Sequence, residues 1–299
     1  MLRIVLLGRT GNNLFQYALG RVLAEKHGVP LVLDGSWYNA EGWAEVSHFL
    51  SLPIQAKVVR PCTLGARALR KLTGKHYWEY RGVPVLKEAG DDQSFDPRFL
   101  DAPADCVLFG YFQTPMYFKG IATGLRAELG QLLCDACCPV PSSIVSTVEN
   151  LAVPDSVAVH VRRGDYLHHP VFKVCDRDYY LRSMDKMRAQ VPSARFFIFS
   201  DDPEWCHETF TTPDVAAIIG RRWINGRDAA TSDRRHDHAR ANPLHDLYLM
   251  SLASHHIIAN STYSWWAAWL GDKPGQQIIM PERWYAAGGP NAPMQEKRW

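Results

Sequence analysis

The chain has 299 residues, of which 46% are hydrophobic and 21% are charged, and its formal net charge is +2. This composition is ordinary for a globular protein, and the length allows two domains of about 150 residues each. The charge is too small for a surface that coats nucleic acid, although it is compatible with a small anionic substrate. The seven cysteines are an odd number and scattered, which argues against a disulfide framework.

The chain begins "MLRIVLLGRTGNN", in which the apolar run 4–7 is too short for the core of a signal peptide. No segment approaches the roughly 18 to 20 apolar residues that a transmembrane helix needs. We therefore expect a cytoplasmic protein, with peripheral attachment to the inner membrane as the alternative.

The first half begins with a strand, "LRIVLL", then a polar turn, "GRTGNN", and then an amphipathic helix that Gly28 ends. A second strand, "VPLVLD", indicates a parallel sheet with crossover helices. Residues 35–105 are irregular and predict short elements and loops. "CVLFGYF" predicts another strand, a helix follows it, and prolines after "CDACC" place a domain boundary near 138–155.

The second half alternates short apolar strands with helices. In order, the strands are "SVAVHV", "RFFIFS", "VAAIIG", "HIIAN" and "QQIIMP", and the helices are "DYYLRSMDKMRAQV", "PEWCHETF", "LHDLYLMSLASH" and "SWWAAWLG". This pattern predicts an α/β fold with a doubly wound parallel sheet. Such sheets bind ligands beyond the carboxyl ends of their strands, so the residues after each strand are the candidates for function.

Arg162 and Arg163 follow "SVAVHV" and begin "RRGD". Guanidinium groups match phosphate oxygens, so we interpret Arg162 as a phosphate contact. Arg163 is either a second such contact or the partner of an acid, for which Asp165 is the neighbour. An exposed Arg-Gly-Asp adhesion loop is disfavoured, because the tripeptide directly continues a buried strand.

Paired acids follow two other elements. Asp201 and Asp202 come after "RFFIFS" and could hold Mg²⁺, but a proline and a helix follow them, which favours an N-cap. Asp176 and Asp178 form a DxD in "CDRDYY". We expect the Asp178 carboxylate to accept from free backbone N–H groups at the start of a helix rather than to bind a metal.

Hydroxyl side chains open the helix "SWWAAWL". Residues 261–264 read Ser-Thr-Tyr-Ser, and the exposed N–H groups of a helix start make a phosphate cradle there. Simple N-capping is the other interpretation, and both can hold. Trp265, Trp266 and Trp269 have the spacing of core residues.

Three further features are less specific. "GRTGNN" is neither GxGxxG nor a P-loop, and it offers a tight turn carrying Arg9, Asn12 and Asn13. The arginine-rich segment 221–242, with His236 and His238, predicts a long solvated loop. The CxxC in "CDACC" lacks a second ligand pair, so idle thiols are favoured over zinc.

The ordered motifs "GRTGNNLFQYALGR", "HVRRGDY", "FSDD" and "DLYLMSLASHHIIANSTYSWWAAWL" resemble those of family eleven glycosyltransferases, the α-1,2-fucosyltransferases. The resemblance implies a GT-B-like architecture of two Rossmann-like domains facing across a cleft. Residues 1–145 would form the acceptor-side domain and 146–299 the GDP-fucose domain, with no metal or other cofactor. The implied activity moves L-fucose from GDP-β-L-fucose to the 2-hydroxyl of a galactoside, with inversion.

The resemblance also implies roles for individual residues. Arg162 matches the arginine placed on the β-phosphate, His160 and Asp246 match positions that address guanine, and Asn12 matches an asparagine on the acceptor side. The donor set is His160, Arg162, Arg163, Asp201, Asp246, Asn260, Ser261, Thr262, Tyr263 and Ser264, and the acceptor side is Arg9, Asn12 and Asn13. The catalytic candidates are Arg162, Asn12, which can orient a hydroxyl but cannot deprotonate it, and Asp34, a candidate base at the end of "VPLVLD".

The turn "GRTGNN" departs from the family pattern, because Arg9 replaces the second glycine of that pattern and Asn13 replaces its glutamine. These departures bear on the acceptor rather than on the donor. The alternatives are a GDP-sugar-binding protein without transferase activity, a fucosyltransferase of another linkage, and an NAD-type oxidoreductase, against which the missing GxGxxG argues.

Overall fold

A computed structural model describes residues 1–61, 82–89, 94–139, 145–220 and 242–286. The predictions for His236, His238 and nearly all of the segment 221–242 lie outside these residues. Within the described residues, no helix is long and apolar enough to cross a membrane.

The described residues form two compact units, which divide between Leu125 and Arg126. This division comes earlier in the chain than the boundary expected at 145/146. Arg126 contacts the C-terminal unit, because its guanidinium lies 4.4 Å from the ring centroid of Trp269, donates to the Trp269 carbonyl at 2.8 Å and pairs with Asp272 at 3.1 Å. These contacts attach most of the helix that contains Arg126 to the C-terminal unit.

The N-terminal unit contains a five-stranded parallel sheet of order β3-β2-β1-β5-β4. Its elements in chain order are β1 (Leu2–Val5), α1 (Thr10–His27), β2 (Leu31–Asp34), α2 (Ala40–Leu50), β3 (Lys57–Val59), β4 (Val85–Lys87) and β5 (Val107–Phe109). The strand order reverses between β1 and β5, which makes the carboxyl ends of these two strands the switch point of the sheet.

One feature of this unit differs from the sequence prediction. Helix α1 begins at Thr10, so Asn12 and Asn13 lie in its first turn rather than in a loop before it. Strands β3 and β4, of three residues each and half exposed, are short elements of the kind predicted for residues 35–105. Gly28 ends α1 in the left-handed conformation at φ 61°, as predicted.

The C-terminal unit contains a second five-stranded parallel sheet, of order β10-β9-β6-β7-β8. The elements from the boundary onward are α3 (Ala122–Cys137), α4 (Val145–Leu151), β6 (Ser156–Val161), α5 (Arg177–Gln190), β7 (Arg195–Ser200), α6 (Pro203–Thr209), β8 (Val215–Gly220), α7 (Pro243–Leu252), β9 (His255–Ile257), α8 (Thr262–Leu270) and β10 (Ile278–Ile279). The two α/β units with parallel sheets are confirmed. The switch point of this sheet lies between β6 and β9.

The core of the C-terminal unit includes the three tryptophans of α8. Trp265, Trp266 and Trp269 have no exposed surface, which confirms that they are core residues. Trp266 packs against Trp269 with ring centroids 5.0 Å apart, and against Trp265 at 5.3 Å. Aromatic pairs in this geometry add to the stability that area burial gives.

His256 lies in β9 and is held as a neutral imidazole. Its Nδ1 accepts from Gln276 at 3.1 Å, and its Nε2–H donates to the Met250 carbonyl at 2.9 Å. Burial, the largest cause, lowers the pKa of His256 to about 3. A proton on Nδ1 would face the donor group of Gln276, so the charged form has no acceptor there.

The unfolded chain binds a proton at this position near pH 6.5, whereas the folded chain does not until about pH 3. We therefore expect the free energy of unfolding to fall as pH decreases below 6.5, by up to about 1.4 kcal/mol per pH unit from this residue. Urea unfolding between pH 7 and pH 4.5 measures the slope, and His256→Asn should make it shallower. An unchanged slope in that variant would contradict the assignment.

Candidate active site

The switch point of the C-terminal sheet brings together the ends of β6 and β9. Arg162 follows β6, and Asn260 and Ser261 follow β9. Tyr166 links the two ends, because its hydroxyl donates to the Asn260 carbonyl at 3.2 Å. Burial raises the pKa of Tyr166 to about 12, so it remains a donor at neutral pH. Residues that the sequence placed at separate strand ends therefore share one edge of the sheet.

Arg162 is held at this edge by two carboxylates. One terminal nitrogen lies 2.6 Å from Asp201, the other lies 2.5 Å from Asp165, and the guanidinium lies 5.4 Å from the ring centroid of Tyr166. The Arg162 side chain is 14% exposed and Asp201 is 10% exposed, whereas Asp165 is 38% exposed. The guanidinium is thus fixed mainly by Asp201, the less exposed of the two carboxylates.

Arg163 forms a different ion pair from the one predicted. Its Nε lies 2.9 Å from Asp202, and its guanidinium lies 4.0 Å from the ring centroid of Trp205. Asp165 pairs with Arg162 instead, which corrects the expected Arg163–Asp165 brace. The ion pair and the stacking also engage the arginine of "RGD", so the tripeptide does not have the free side chain that an adhesion loop presents.

Asp201 connects three parts of the loop after β6. Besides pairing with Arg162, it accepts from the backbone N–H of Arg163 at 2.9 Å. A Cβ at Gly164 would lie 2.7 Å from an Asp201 carboxylate oxygen, so the absence of a side chain at Gly164 lets the loop approach. Both Asp201 oxygens therefore bind protein groups, and the residue anchors the loop.

The other acids cap helices. Asp202 accepts from the Trp205 N–H at 3.2 Å and caps α6, which confirms the capping interpretation of that pair. Asp176, not Asp178, caps α5, accepting from the Tyr179 N–H at 2.7 Å. Asp178 lies in the first turn, two positions after the cap.

His160 lies in β6 and is buried at 8% exposure, with its ring 5.7 Å from that of Tyr263. Its Nδ1 has no hydrogen-bond partner among the described residues. Burial, and then the neighbouring charge of Arg162, lower the pKa of His160 to about 4, so the imidazole is neutral at physiological pH. A neutral ring can exchange hydrogen bonds with an uncharged ligand group.

The loop before α8 is organised by Asn260. Its side-chain nitrogen donates to the carbonyls of Phe172 and Trp284 at 3.1 and 2.9 Å, while its buried side-chain oxygen has no partner among the described residues. Ser261 is the N-cap of α8, and its side chain makes no capping hydrogen bond. The plain capping interpretation therefore does not account for Ser261.

Three further members of the donor set surround this helix start. Ser264 is buried and donates to the Ser261 carbonyl at 3.2 Å, and Thr262 is the first residue of α8. The Tyr263 hydroxyl donates to the Pro243 carbonyl, which ties α8 to the first turn of α7. Asp246 lies in that turn. Tyr263 thus connects the start of α8 to the helical turn that contains Asp246.

Asn12 lies at the switch point of the N-terminal sheet. Its side-chain oxygen accepts from Gln113 at 2.9 Å, joining the residues that follow β1 and β5. A Cβ at Gly8, whose φ is 73°, would lie 2.0 Å from the Asn12 side-chain nitrogen. Glycine at position 8 thus allows both the left-handed backbone conformation and the close approach of the Asn12 side chain.

Two predictions for this unit are corrected. Asn13 has no exposed surface, and its side chain donates to the Leu7 carbonyl, Gln16 and Tyr38, so it braces the turn rather than facing an acceptor. Asp34 also has no exposed surface and pairs with Arg3 at 2.5 Å. A carboxylate held in this way cannot reach an acceptor hydroxyl.

Sequence reasoning missed several residues that shape these edges. Tyr166, Gln113 and Glu88 each bond to a loop at the carboxyl edge of a sheet. Tyr166 could have been found from its position four residues after Arg162. Nothing in the sequence marks Gln113 or Glu88, because their partners are distant in the chain. Arg9 is exposed and precedes α1 without capping it.

Comparisons with known proteins identify the family. The model of glycosyl transferase family 11 matches residues 105–291, more than half of the chain. An alpha-1,2-colitosyltransferase of Escherichia coli is 34% identical over 293 residues, covering 94% of this chain and 91% of that protein. The chain belongs to glycosyl transferase family 11.

Two further comparisons concern a curated relative and a solved structure. Galactoside alpha-(1,2)-fucosyltransferase 2 of Rattus norvegicus is 31% identical over 306 residues, covering 94% of this chain and 74% of that protein. The crystal structure of the fucosyltransferase NodZ from Bradyrhizobium aligns with a TM-score of 0.47 at 16% identity, covering 89% of this chain and 92% of that one. Family 11 membership makes the protein a glycosyltransferase.

Proposed function

We propose that this family 11 enzyme transfers L-fucose from GDP-β-L-fucose to the 2-hydroxyl of a galactoside, with inversion and without a metal. The observation that carries the proposal is Arg162, a largely buried guanidinium fixed at the switch point of the C-terminal sheet. Ligands of doubly wound sheets bind at this point, and guanidinium groups suit phosphate oxygens.

In the reaction the bond between the fucose anomeric carbon and the β-phosphate oxygen breaks, and a bond from the acceptor oxygen forms on the opposite face. Negative charge accumulates on the departing GDP, so fixed positive charge and N–H dipoles at the diphosphate lower the barrier. Arg162 supplies the charge. The first N–H groups of α8, after Ser261, supply the dipoles. Together they perform the charge stabilisation that a metal ion supplies in other transferases.

The two carboxylates on Arg162 have different roles in this proposal. Asp201 is nearly buried and bonded to two groups, so it holds the guanidinium in place. Asp165 is the more exposed partner, and a diphosphate would displace it from Arg162. Exchange of one anion for another leaves the largely buried guanidinium paired throughout, which avoids the cost of an isolated charge away from water.

The guanine of the donor would meet His160 and Asp246. Guanine offers N–H donors at N1 and N2, which a carboxylate accepts in pairs, and acceptors at O6 and N7. The Asp246 carboxylate suits the edge with the N1 and N2 donors. The neutral His160 ring suits an uncharged edge of the base. Arg163, Asn260, Thr262, Tyr263 and Ser264 form the remainder of the proposed donor site.

On the acceptor side Asn12 would orient the hydroxyl, and Arg9 would lie beside it. With Asp34 buried against Arg3, this mechanism uses no carboxylate from that strand end as a base. An oxocarbenium-like transition state makes the acceptor hydroxyl more acidic as its bond forms, so its proton can pass to solvent. The cytoplasmic location expected from the sequence is where nucleotide sugars are available.

A second donor is supported by the Escherichia coli relative, whose name specifies colitose. Colitose is L-fucose without its 3-hydroxyl, so the two donors share the diphosphate and the guanine. Binding sites that hydrogen-bond a hydroxyl discriminate strongly against the analogue lacking it. Donor preference therefore depends on whether a protein group binds O3 of the sugar.

The test is incubation of the purified protein with GDP-fucose or GDP-colitose, with and without EDTA. Lactose, N-acetyllactosamine and a β-1,3-linked galactoside serve as acceptors, and the linkage of each product is determined by NMR. We expect an α-1,2-linked product that EDTA does not reduce. Donor binding without transfer or hydrolysis for every acceptor would favour a GDP-sugar-binding protein, and binding of NAD instead would favour an oxidoreductase.

A further inference from the structure

The loop after β5 contains a strained residue. Phe112 has a φ of 55°, in the left-handed region that residues with a side chain seldom adopt. Its ring has no exposed surface and packs against Phe99, with centroids 4.9 Å apart, and against Tyr117 at 6.1 Å. Such strain persists only where the surroundings determine the conformation, and it concentrates at functional positions.

Glu88 is the group that determines this conformation. It follows β4, and its carboxylate accepts from the backbone N–H of Tyr111 at 2.7 Å and of Phe112 at 3.1 Å. A Cβ at Gly110 would lie 2.6 Å from the Glu88 side chain, so glycine there leaves room for the carboxylate. The carboxylate replaces the backbone partners that a left-handed turn cannot provide for itself.

The result of this conformation is the position of Gln113. Gln113 is 5% exposed, and it donates to the side-chain oxygen of Asn12 at 2.9 Å. Because that oxygen accepts from Gln113, the amide of Asn12 has one orientation, with its nitrogen over Gly8. A hydroxyl ligand at this position therefore meets the donor end of the Asn12 amide.

We propose that Glu88 is a positioning residue for the acceptor, acting through the Phe112 backbone and Gln113 on Asn12. The inference rests on the proposed function, because it takes the switch point between β1 and β5 as the acceptor side. Both Glu88 oxygens accept from backbone N–H groups of the loop, so in this proposal Glu88 acts through the loop rather than on a sugar.

Glu88→Gln and Gln113→Leu test the inference, alone and combined. Each single variant should raise the acceptor KM about tenfold, since small displacements of orienting groups are costly, and leave donor binding within about twofold. The double variant should be no worse than the poorer single one, because both changes interrupt one connection. Asp96→Asn is the matched control, since Asp96 is a carboxylate accepting the Arg98 N–H in the same unit.

A second readout does not depend on turnover. The side-chain amide signal of Asn12 in a ¹⁵N–¹H NMR spectrum, assigned by its loss in Asn12→Ala, should shift in Glu88→Gln and not in Asp96→Asn. An unchanged Asn12 signal, or additive effects on the acceptor KM, would overturn the inference. If the wild-type protein transfers no sugar, the proposed function fails, and the Asn12 signal alone then decides whether Glu88 positions that residue.

Discussion

Arg162→Lys should lower kcat for sugar transfer by about 100- to 1000-fold while the protein remains folded. Lysine retains the charge but loses the planar fork that is held between Asp165 and Asp201. A single positively charged group directed at the developing charge of a leaving group typically contributes an effect of this size. Stopped or quenched turnover assays with saturating donor and acceptor measure the change.

The matched control is Arg188→Lys. Arg188 also pairs with two carboxylates, Asp185 and Asp214, and lies 5.1 Å from the ring centroid of Phe196. It lies near the amino ends of β7 and β8, away from the edge that carries Arg162. We expect near-normal turnover from this control. Near-normal turnover in Arg162→Lys would remove Arg162 from the diphosphate.

Asp201→Asn should both weaken the fold and reduce activity. The amide has nearly the shape of the carboxylate, but its NH₂ group would face the Arg162 guanidinium or the Arg163 N–H, donor against donor. The substitution leaves Arg162 paired only with the more exposed Asp165, so we expect a loss of about 1 to 3 kcal/mol in the free energy of unfolding. Urea denaturation measures this loss.

The activity of Asp201→Asn should fall about 100-fold even under conditions where the variant is fully folded, because Arg162 is no longer held at the switch point. Asp214→Asn is the corresponding control, since Asp214 is the partner of Arg188. A variant that loses stability and keeps full kcat would show that Asp201 supports only the fold.

The sequence predicted the C-terminal sheet well, for a physical reason. Strand β6 has every residue buried and β7 all but its first, so the two read as continuous apolar runs of the kind that parallel sheets require. Strands β3 and β4 are short, half exposed and at the edges of their sheet, so the sequence indicated short elements there without giving their positions. A strand that is buried on both faces is the easiest to recognise from sequence, because nearly all of its residues are apolar.

The candidate site was predictable only in part. Arg162 and Ser261 were found because each directly follows an apolar strand run or opens a helix. The partners of the charges were not found, because proximity along the chain favoured Asp165 for Arg163, whereas the fold brings Asp202 to it. The pairing of Asn12 with Gln113 joins residues about a hundred positions apart, which no local pattern signals.

The tryptophans of α8 provide a spectroscopic probe of whether that helix is packed. Trp265, Trp266 and Trp269 are fully buried and close enough for their indole transitions to couple. Coupled indoles produce a circular dichroism signal that depends on their mutual orientation and disappears when the helix loses its packing. The same helix begins at Ser261, so the signal shows directly whether the helix under the proposed diphosphate site is still packed. A variant that is inactive but retains this signal has lost chemistry rather than structure.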